Sequence, residues 1–459
     1  MADFTNINNV YVKDTVLRDG IQDIKDYVGY DDIYGLEFDF DAGYNVGKRL
    51  CAAKGLYSDD FDNISPWKDM KRCNLADDGT VVAYYGEQGY VEDGTAGQVM
   101  VEIPKFYYRF VPVSLQAQEQ EGSADTGRFG YHIKKGWWFI SPHKHFGFKT
   151  HPVFFNAAGQ EVDRVYMSAY EGCIYDVSAG AYLVNDEQVG DFTAGTGDKL
   201  SSIAGVRPCS GYTQQLIVDN ARTIALNRGA GWYEITIKMI SAIQLLFAIE
   251  YASFNHQAIL GMGVTQIPYA GGENRASFTG STSSMGSTSG RATSTIDYTG
   301  TVQTDAGKTS VSYRGIENFH GNESQMVDGA NVWGDGTIGG GSAYVASDMN
   351  FASDKKDGNY VNCGFTLPST NAQYIKYFGY GDKQFDWLFF ASKVDNTIAT
   401  YDVPVGDYSY VTENINGYRG VGHGGYWSSI VFAGGHAFGS DTAANVANRI
   451  KGARLAYIG

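Results

Sequence analysis

Proline is scarce in this chain, nine among 459 residues, and cysteine scarcer still at five. The five cysteines (Cys51, Cys73, Cys173, Cys209 and Cys363) are odd in number and never stand in a Cys-x-x-Cys spacing. That excludes a dense disulfide framework and a cysteine-built zinc site, and it fits assembly in a reducing cytoplasm. Long hydrophobic runs are missing too. The most apolar stretch, Met239–Ile249, ends at Glu250 and is too short to span a bilayer. The opening MADFTNINN lacks the basic and apolar parts of a signal peptide, so export by an ordinary secretion signal is not expected. Heptads are absent, which excludes a long coiled coil as the glue of any oligomer, and no internal repeat is visible. Basic residues are outnumbered: the formal charge is −16 and the pI about 4.9. Phosphate binding needs a basic footprint, so nucleic acid is not the expected partner.

What is abundant is glycine, 58 residues, and tyrosine, 33. With little periodic leucine, that composition predicts short strands, tight turns and ordered loops. Tyrosine also gives large contact area at low entropic cost, as recognition surfaces need. The length suits two or three domains with a core that needs no staples. The acidity is uneven: residues 1–62 hold thirteen acids against six bases, while residues 401–459 hold four of each. The excess of acid serves solubility.

Residues 1–31 hold few apolar anchors and read as an extended arm or a frayed terminus. Leu36, Phe38 and Phe40 alternate with Glu37, Asp39 and Asp41, the mark of a half-buried strand. Val99–Phe110 is a second strand signal, with Pro104 implying an edge or a bulge. Ile240, Ile243, Leu246, Phe247, Tyr251 and Phe254 fall on one stripe of a core helix over Lys238–Phe254. Residues 271–310, rich in Ser, Thr and Gly, read as a long surface loop or a polar, threonine-rich hairpin. The class these elements predict is α+β, with a few helices packed on mixed short sheets and long ordered loops.

Little in the sequence points to catalysis. His143 and His145 could share a strand face, but nothing nearby besides His151 supplies a third ligand, so they read as a solvated loop rather than a metal site. The glycine-rich residues 334–344 lack the Gly-Lys-Ser/Thr ending of a phosphate-binding loop. There is no Gly-x-Ser-x-Gly elbow, no cysteine with a clear histidine partner, and no acid pair in an acid–base spacing. Carboxylates can still meet in space, so glycan cleavage is not excluded on these grounds. The expectation is a protein that binds rather than transforms, with no catalytic residue, no cofactor and no metal.

The segment from His423 to Gly459 carries most of the functional signal. A Gly-Gly-aromatic-Trp opening leads into small and polar residues and closes on Gly-Ala-Arg-Leu. A fixed frame around an interior bearing Tyr, Ser, Phe and His is the composition of an adaptable contact surface.

Five segments in order carry a resemblance: Ile64–Asn74 (ISPWKDMKRCN), Gly97–Tyr108 (GQVMVEIPKFYY), parts of Asn220–Gln257 (NARTIALNRGAGWYEI and LLFAIEYASFNHQ), Tyr313–Val332 (YRGIENFHGNESQMVDGANV), and the end from GGYW to GARL. Together they resemble phage fibre and tail proteins with a C-type-lectin-like domain of the formylglycine-generating-enzyme type. They are similar also to the variable proteins of diversity-generating retroelements. The resemblance covers residues 32–459. It implies a structural frame of Gly424, Gly425, Trp427, Gly452 and Arg454. It implies ligand contact by Tyr426, Ser428, Ser429, Ile430, Val431, His436, Phe438, Ser440 and Asp441, with Tyr426 and Phe438 as stacking platforms for a glycan.

The organisation it implies is a virion-attachment or oligomerisation arm at 1–31, a β-rich subdomain at 32–96, and a lectin-like domain at 97–459. That last domain carries the insertion near 271–310 and the ligand-facing segment 423–459. The function implied is a virion protein, assembled in the bacterial cytoplasm, that binds a host-surface glycan or protein. It would dock to other virion proteins through its arm and form a homo-oligomer, a trimer by family precedent, with no membrane insertion. The alternative is a structural decoration or connector protein without receptor binding. The chain departs from the enzymes of that fold, because no cysteine follows Cys363, and from its calcium lectins, because Glu-Pro-Asn, Gln-Pro-Asp and Trp-Asn-Asp are all absent.

Overall fold

The computed structural model describes residues 30–459 except 44–45, 119–129, 187–189, 213–215, 337–340, 369–372, 396, 398–403, 412–414 and 441. The expected arm at 1–31 therefore lies almost wholly outside the described residues, and Asp441 lies outside them too.

The α+β expectation does not hold. Strand takes 36% of the chain and helix 13%, and one mixed sheet gathers fourteen strands without closing into a barrel. Its main path runs Lys48–Cys51, Tyr34–Asp39, Tyr131–Ser141, Gln373–Tyr380, Tyr408–Val411, Phe438–Ser440, Asn416–His423, Ser324–Asp335, Ser342–Ala346 and Tyr360–Thr366. Most neighbours are antiparallel, but Tyr408–Val411 and Phe438–Ser440 run parallel, as do Ser324–Asp335 and Lys451–Gly452. The lectin-like class with short sheets falls with this finding. Several stretches that read as ordered loop are strands whose alternation is broken by register shifts, between Val327 and Asn331 and between Ile375 and Tyr377.

A six-stranded sheet runs Trp232–Glu234, Leu455–Tyr457, Arg164–Ser168, Gln98–Pro104, Lys71–Leu75 and Val81–Tyr84. Pro104 ends its strand, so its missing N–H interrupts no ladder. In the large sheet, Leu36, Phe38 and Phe40 are buried while Glu37 and Asp39 are half-buried, as period-two alternation requires.

Three α-helices lie among the described residues: α1 (Val218–Leu226), α2 (Ile237–Tyr251) and α3 (His256–Leu260). The Thr236 side chain caps α2 by accepting from the Met239 N–H at 3.2 Å, and Ala252 ends it in the left-handed region. The sequence predicted one apolar stripe, but every residue from Ile237 to Glu250 is buried. Its charged end is satisfied in place, because Arg314 pairs with Glu250 at 2.7 Å. No described helix is long and apolar enough to cross a membrane. The main core cluster around α2 draws residues from Tyr34 to Ile458 and runs without a break across residues 96 and 97.

The polar stretch 271–310 is packed rather than loose. Asn274, Ser277, Thr279, Thr282 and Thr295 are buried, and Thr295–Ile296 pairs with Val302–Gln303 in a short hairpin. The Asp297 carboxylate closes that hairpin by accepting from the N–H groups of Thr299 and Thr301.

Candidate functional site

The C-terminal segment is built around two glycines and a tryptophan. Gly424 and Gly425 both have positive φ, 91° and 77°. A Cβ on Gly424 would lie 3.1 Å from the Phe319 carbonyl, and one on Gly425 would lie 2.8 Å from Ala433. Only glycine meets both demands. Trp427 is fully buried with Val264, Ile267 and Ala276. Its backbone N–H donates to the Asn322 carbonyl at 2.8 Å, and its own carbonyl accepts from the Ile267 N–H at 2.8 Å.

Asn322 is the hub of this frame. It sits at φ 61°, a left-handed conformation that asparagine tolerates. Its N–H reaches the Val264 carbonyl at 2.7 Å and its Oδ1 accepts from Ser277 at 2.7 Å. Its Nδ2 donates to the Glu171 carboxylate, which also accepts from the Glu323 N–H at 2.9 Å. Arg454 locks the closing strand. Its fully buried guanidinium donates to the carbonyls of Ser168, Glu317 and Asn318 and to the Gln325 side chain. A Cβ on Gly452 would come within 2.8 Å of the Cys209 carbonyl, so the closing segment abuts the Cys209–Ser210 backbone tightly.

Burial pushes Glu171 up to about 7, against the pull of Arg454. The folded state thus keeps a proton that the unfolded chain releases above about 4.5. Its contribution to stability is full below that pH and is lost as the pH rises through about 7. Compared with Glu171→Gln, the wild type is expected to lose on the order of 3 kcal/mol between pH 4.5 and 7.5 in urea titrations. Parallel pH profiles for the two proteins would contradict this.

The structure divides the expected contact residues. Ile430 is 49% exposed, and Tyr426, Ser428 and Val431 are half-buried. Ser429, His436, Phe438 and Ser440 are buried. Phe438 and Ser440 share the face of the strand Phe438–Ser440 that meets the core, and His436 is carried inward by the turn that precedes this strand. Phe438 packs on Phe390 at 4.8 Å and on His423 at 5.3 Å, so it is no free stacking platform and its loss would lower stability. His436 is held at Nδ1 by the Phe254 carbonyl, 3.1 Å away, and burial pushes its pKa down to about 3. Ser429 accepts from the Tyr426 N–H at 2.8 Å and so shapes the turn itself.

What lies open is an aromatic face assembled from several segments. Tyr426, Ser429 and Phe438 line a pocket of about 100 Å3 together with Tyr410, Ile450 and Lys451. On one side Tyr269, 57% exposed, stacks on Trp427 with ring centres 5.5 Å apart and approaches Tyr426 at 6.4 Å. The Arg449 guanidinium lies 4.3 Å from the Tyr269 ring. On the other side Tyr410 leads to Tyr408, whose ring lies 4.0 Å from Phe432. Sequence reading missed Tyr269, Tyr408, Tyr410, Phe432 and Arg449. The alternation of Tyr408 and Tyr410 with buried Ser409 and Val411 was the available signal for the strand. Nothing local marks Tyr269, which stacking across the chain brings in.

Ile430 adds a second observation. It is β-branched, exposed, and held at φ 55° with its N–H on the Thr265 carbonyl at 2.8 Å. That conformation costs on the order of 1–3 kcal/mol and persists where its surroundings fix it.

Elsewhere, His143 and His145 both bind the Asp32 carboxylate, at 2.8 and 2.9 Å, while His151 is buried apart from them. A wider cleft of about 750 Å3 is bordered by Tyr175, Tyr182, Lys199, Arg228 and Asp77. Its two cations, Lys199 and Arg228, both pair with Asp77. Among the described residues, His256, Asp407 and His436 form a group with metal-ligating reach, beneath the segment rather than on its face. Compared with protein-family models and with curated proteins, the chain matches none.

Proposed function

We propose that this chain is a phage virion fibre or adhesion protein that binds a host cell-surface glycan or protein through the face centred on Tyr426. One observation carries the reading. Tyr269, Tyr426, Ile430 and Arg449 are presented at the surface by a frame with little freedom of its own, the fully buried Trp427 and the two positive-φ glycines. Large, amphipathic and pre-positioned side chains of this kind bind at low entropic cost. A sugar ring would stack on Tyr269 or Tyr426 and find hydrogen-bond partners in the adjoining pocket. The N-terminal arm would join the protein to other virion components. Copies in a homo-oligomer, a trimer by the resemblance, would add weak contacts into firm adhesion.

A structural decoration or connector role is the second reading. It is favoured by the burial of Ser429, His436, Phe438 and Ser440, which makes half of the described contact set part of the core.

The test is binding of the purified protein to immobilised bacterial lipopolysaccharide, capsular polysaccharide and teichoic acid. Tyr269→Ala and Tyr426→Ala are each expected to weaken binding about thirtyfold, as for an aromatic anchor contributing about 2 kcal/mol. Ile430→Gly should weaken it too while leaving the melting temperature unchanged or higher, since glycine relieves the left-handed strain. Undiminished binding in all three variants would remove the face from consideration.

A further inference from the structure

We propose that His256, Asp407 and His436 bind a first-row divalent cation, zinc by preference, that fastens the C-terminal segment to the core. The three come from separate parts of the chain: the first residue of α3, the approach to the strand Tyr408–Val411, and the approach to the strand Phe438–Ser440. Parallel pairing of those two strands sets Asp407 beside His436, whose backbone N–H donates to the Asp407 carboxylate at 2.7 Å. One ligand atom from each of the three lies within 4.8 Å of the others, and all three side chains are fully buried.

The hydrogen bonding leaves lone pairs unused at this spot. His436 Nδ1 faces the Phe254 carbonyl at 3.1 Å, so Nδ1 carries the proton and Nε2 offers a bare lone pair. That Nε2, both ring nitrogens of His256 and Oδ1 of Asp407 have no hydrogen-bond partner. Four orphaned polar atoms in one buried place are costly unless something takes them up. Around them the walls are aromatic: His256 stacks on Phe247 at 3.6 Å, and Phe254, Phe378 and Phe389 surround His436.

Two imidazoles and one carboxylate suit zinc or ferrous iron, not calcium or magnesium, which take oxygen shells. The bond from His436 Nδ1 to a backbone carbonyl is the outer-shell support that orients metal-binding histidines. A dry aromatic enclosure gives an ion little route to exchange or to meet substrate, which makes its part structural. The site is independent of what the face above it binds.

The experiment is metal analysis of the full-length protein, purified without chelator and dialysed, followed by removal with EDTA and return of Zn2+. One ion per chain is expected, with a melting temperature that falls on removal and recovers with Zn2+. Asp407→Asn keeps the side-chain shape and should lower occupancy at least tenfold, and His436→Gln should do the same. His143→Ala/His145→Ala, which removes the two histidines that bind Asp32, should leave it unchanged. Absence of a bound ion in the wild type, with a melting temperature indifferent to Zn2+, would overturn the proposal. So would an ion that survives Asp407→Asn and His436→Gln but is lost with His143 and His145.

Discussion

Trp427→Ala is expected to destabilise the protein by about 3–5 kcal/mol and to abolish ligand binding with the same substitution. The indole is fully buried, packed on Val264, Ile267 and Ala276, and it floors the exposed ring of Tyr269 at 5.5 Å. Arg449 lies 5.8 Å from the same indole. Removing it leaves a cavity and takes the support from both exposed groups, while the backbone bonds of residue 427 to Asn322 and Ile267 remain. Trp427→Phe fills part of the space and should retain more than half of the lost stability. Urea denaturation reads the first quantity and glycan binding the second. A loss below about 1 kcal/mol would mean that this residue packs far more loosely than its burial implies.

Arg454→Leu is expected to cost about 3–5 kcal/mol for a different reason. Leucine fills apolar volume well enough, but it leaves the carbonyls of Ser168, Glu317 and Asn318 and the Gln325 side chain without their donor. Buried acceptors that lose a partner cost about 1–3 kcal/mol each, with partial relief by relaxation. The nearby carboxyls of Glu171 and Glu317 lose their cation as well. Burial already pulls Arg454 down to about 10, a measure of how little water reaches it. Arg454→Lys should rescue little, since one ammonium cannot span acceptors that a planar guanidinium bridges. Equal stability of Arg454→Lys and wild type in denaturant would contradict this account of the closing strand.

How much of this was legible depended on the range of the interaction. Leu36, Phe38 and Phe40 announce their strand because alternation is local. The helix over Ile237–Tyr251 announces itself too, but not its burial on all sides, which at Glu250 is matched by Arg314 from 64 residues away. The large sheet was missed because its central strands carry bulges at Val327/Asn331 and Ile375/Tyr377, which break period two where pairing is long-range. The buried polar stretch around Asn274, Thr279 and Thr282 reads as loop because its partners, such as Asp186 and Glu317, lie far off in sequence.

At the site, glycines and Trp427 stand out because close approach and positive φ demand particular residues. Contact residues do not. Composition alone cannot tell that Phe438 is buried against Phe390 and His423 while Tyr426 stays half-buried, and no local pattern brings Tyr269 onto Trp427. The buried histidine and aspartate group was invisible for the same reason, since 151 residues separate His256 from Asp407.

We propose that a rigid frame presents the Tyr269–Tyr426 face to a host surface. Saturable binding of the fluorescently labelled protein to intact bacterial cells, compared between wild type and the Tyr269→Ala/Tyr426→Ala double variant at matched melting temperature, tests it most directly. Wild-type binding is expected to saturate, and the double variant to bind more weakly by at least two orders of magnitude. Equal binding by the two proteins, or a wild type that binds no cell while still joining virus particles, would contradict it and leave the decoration role in its place.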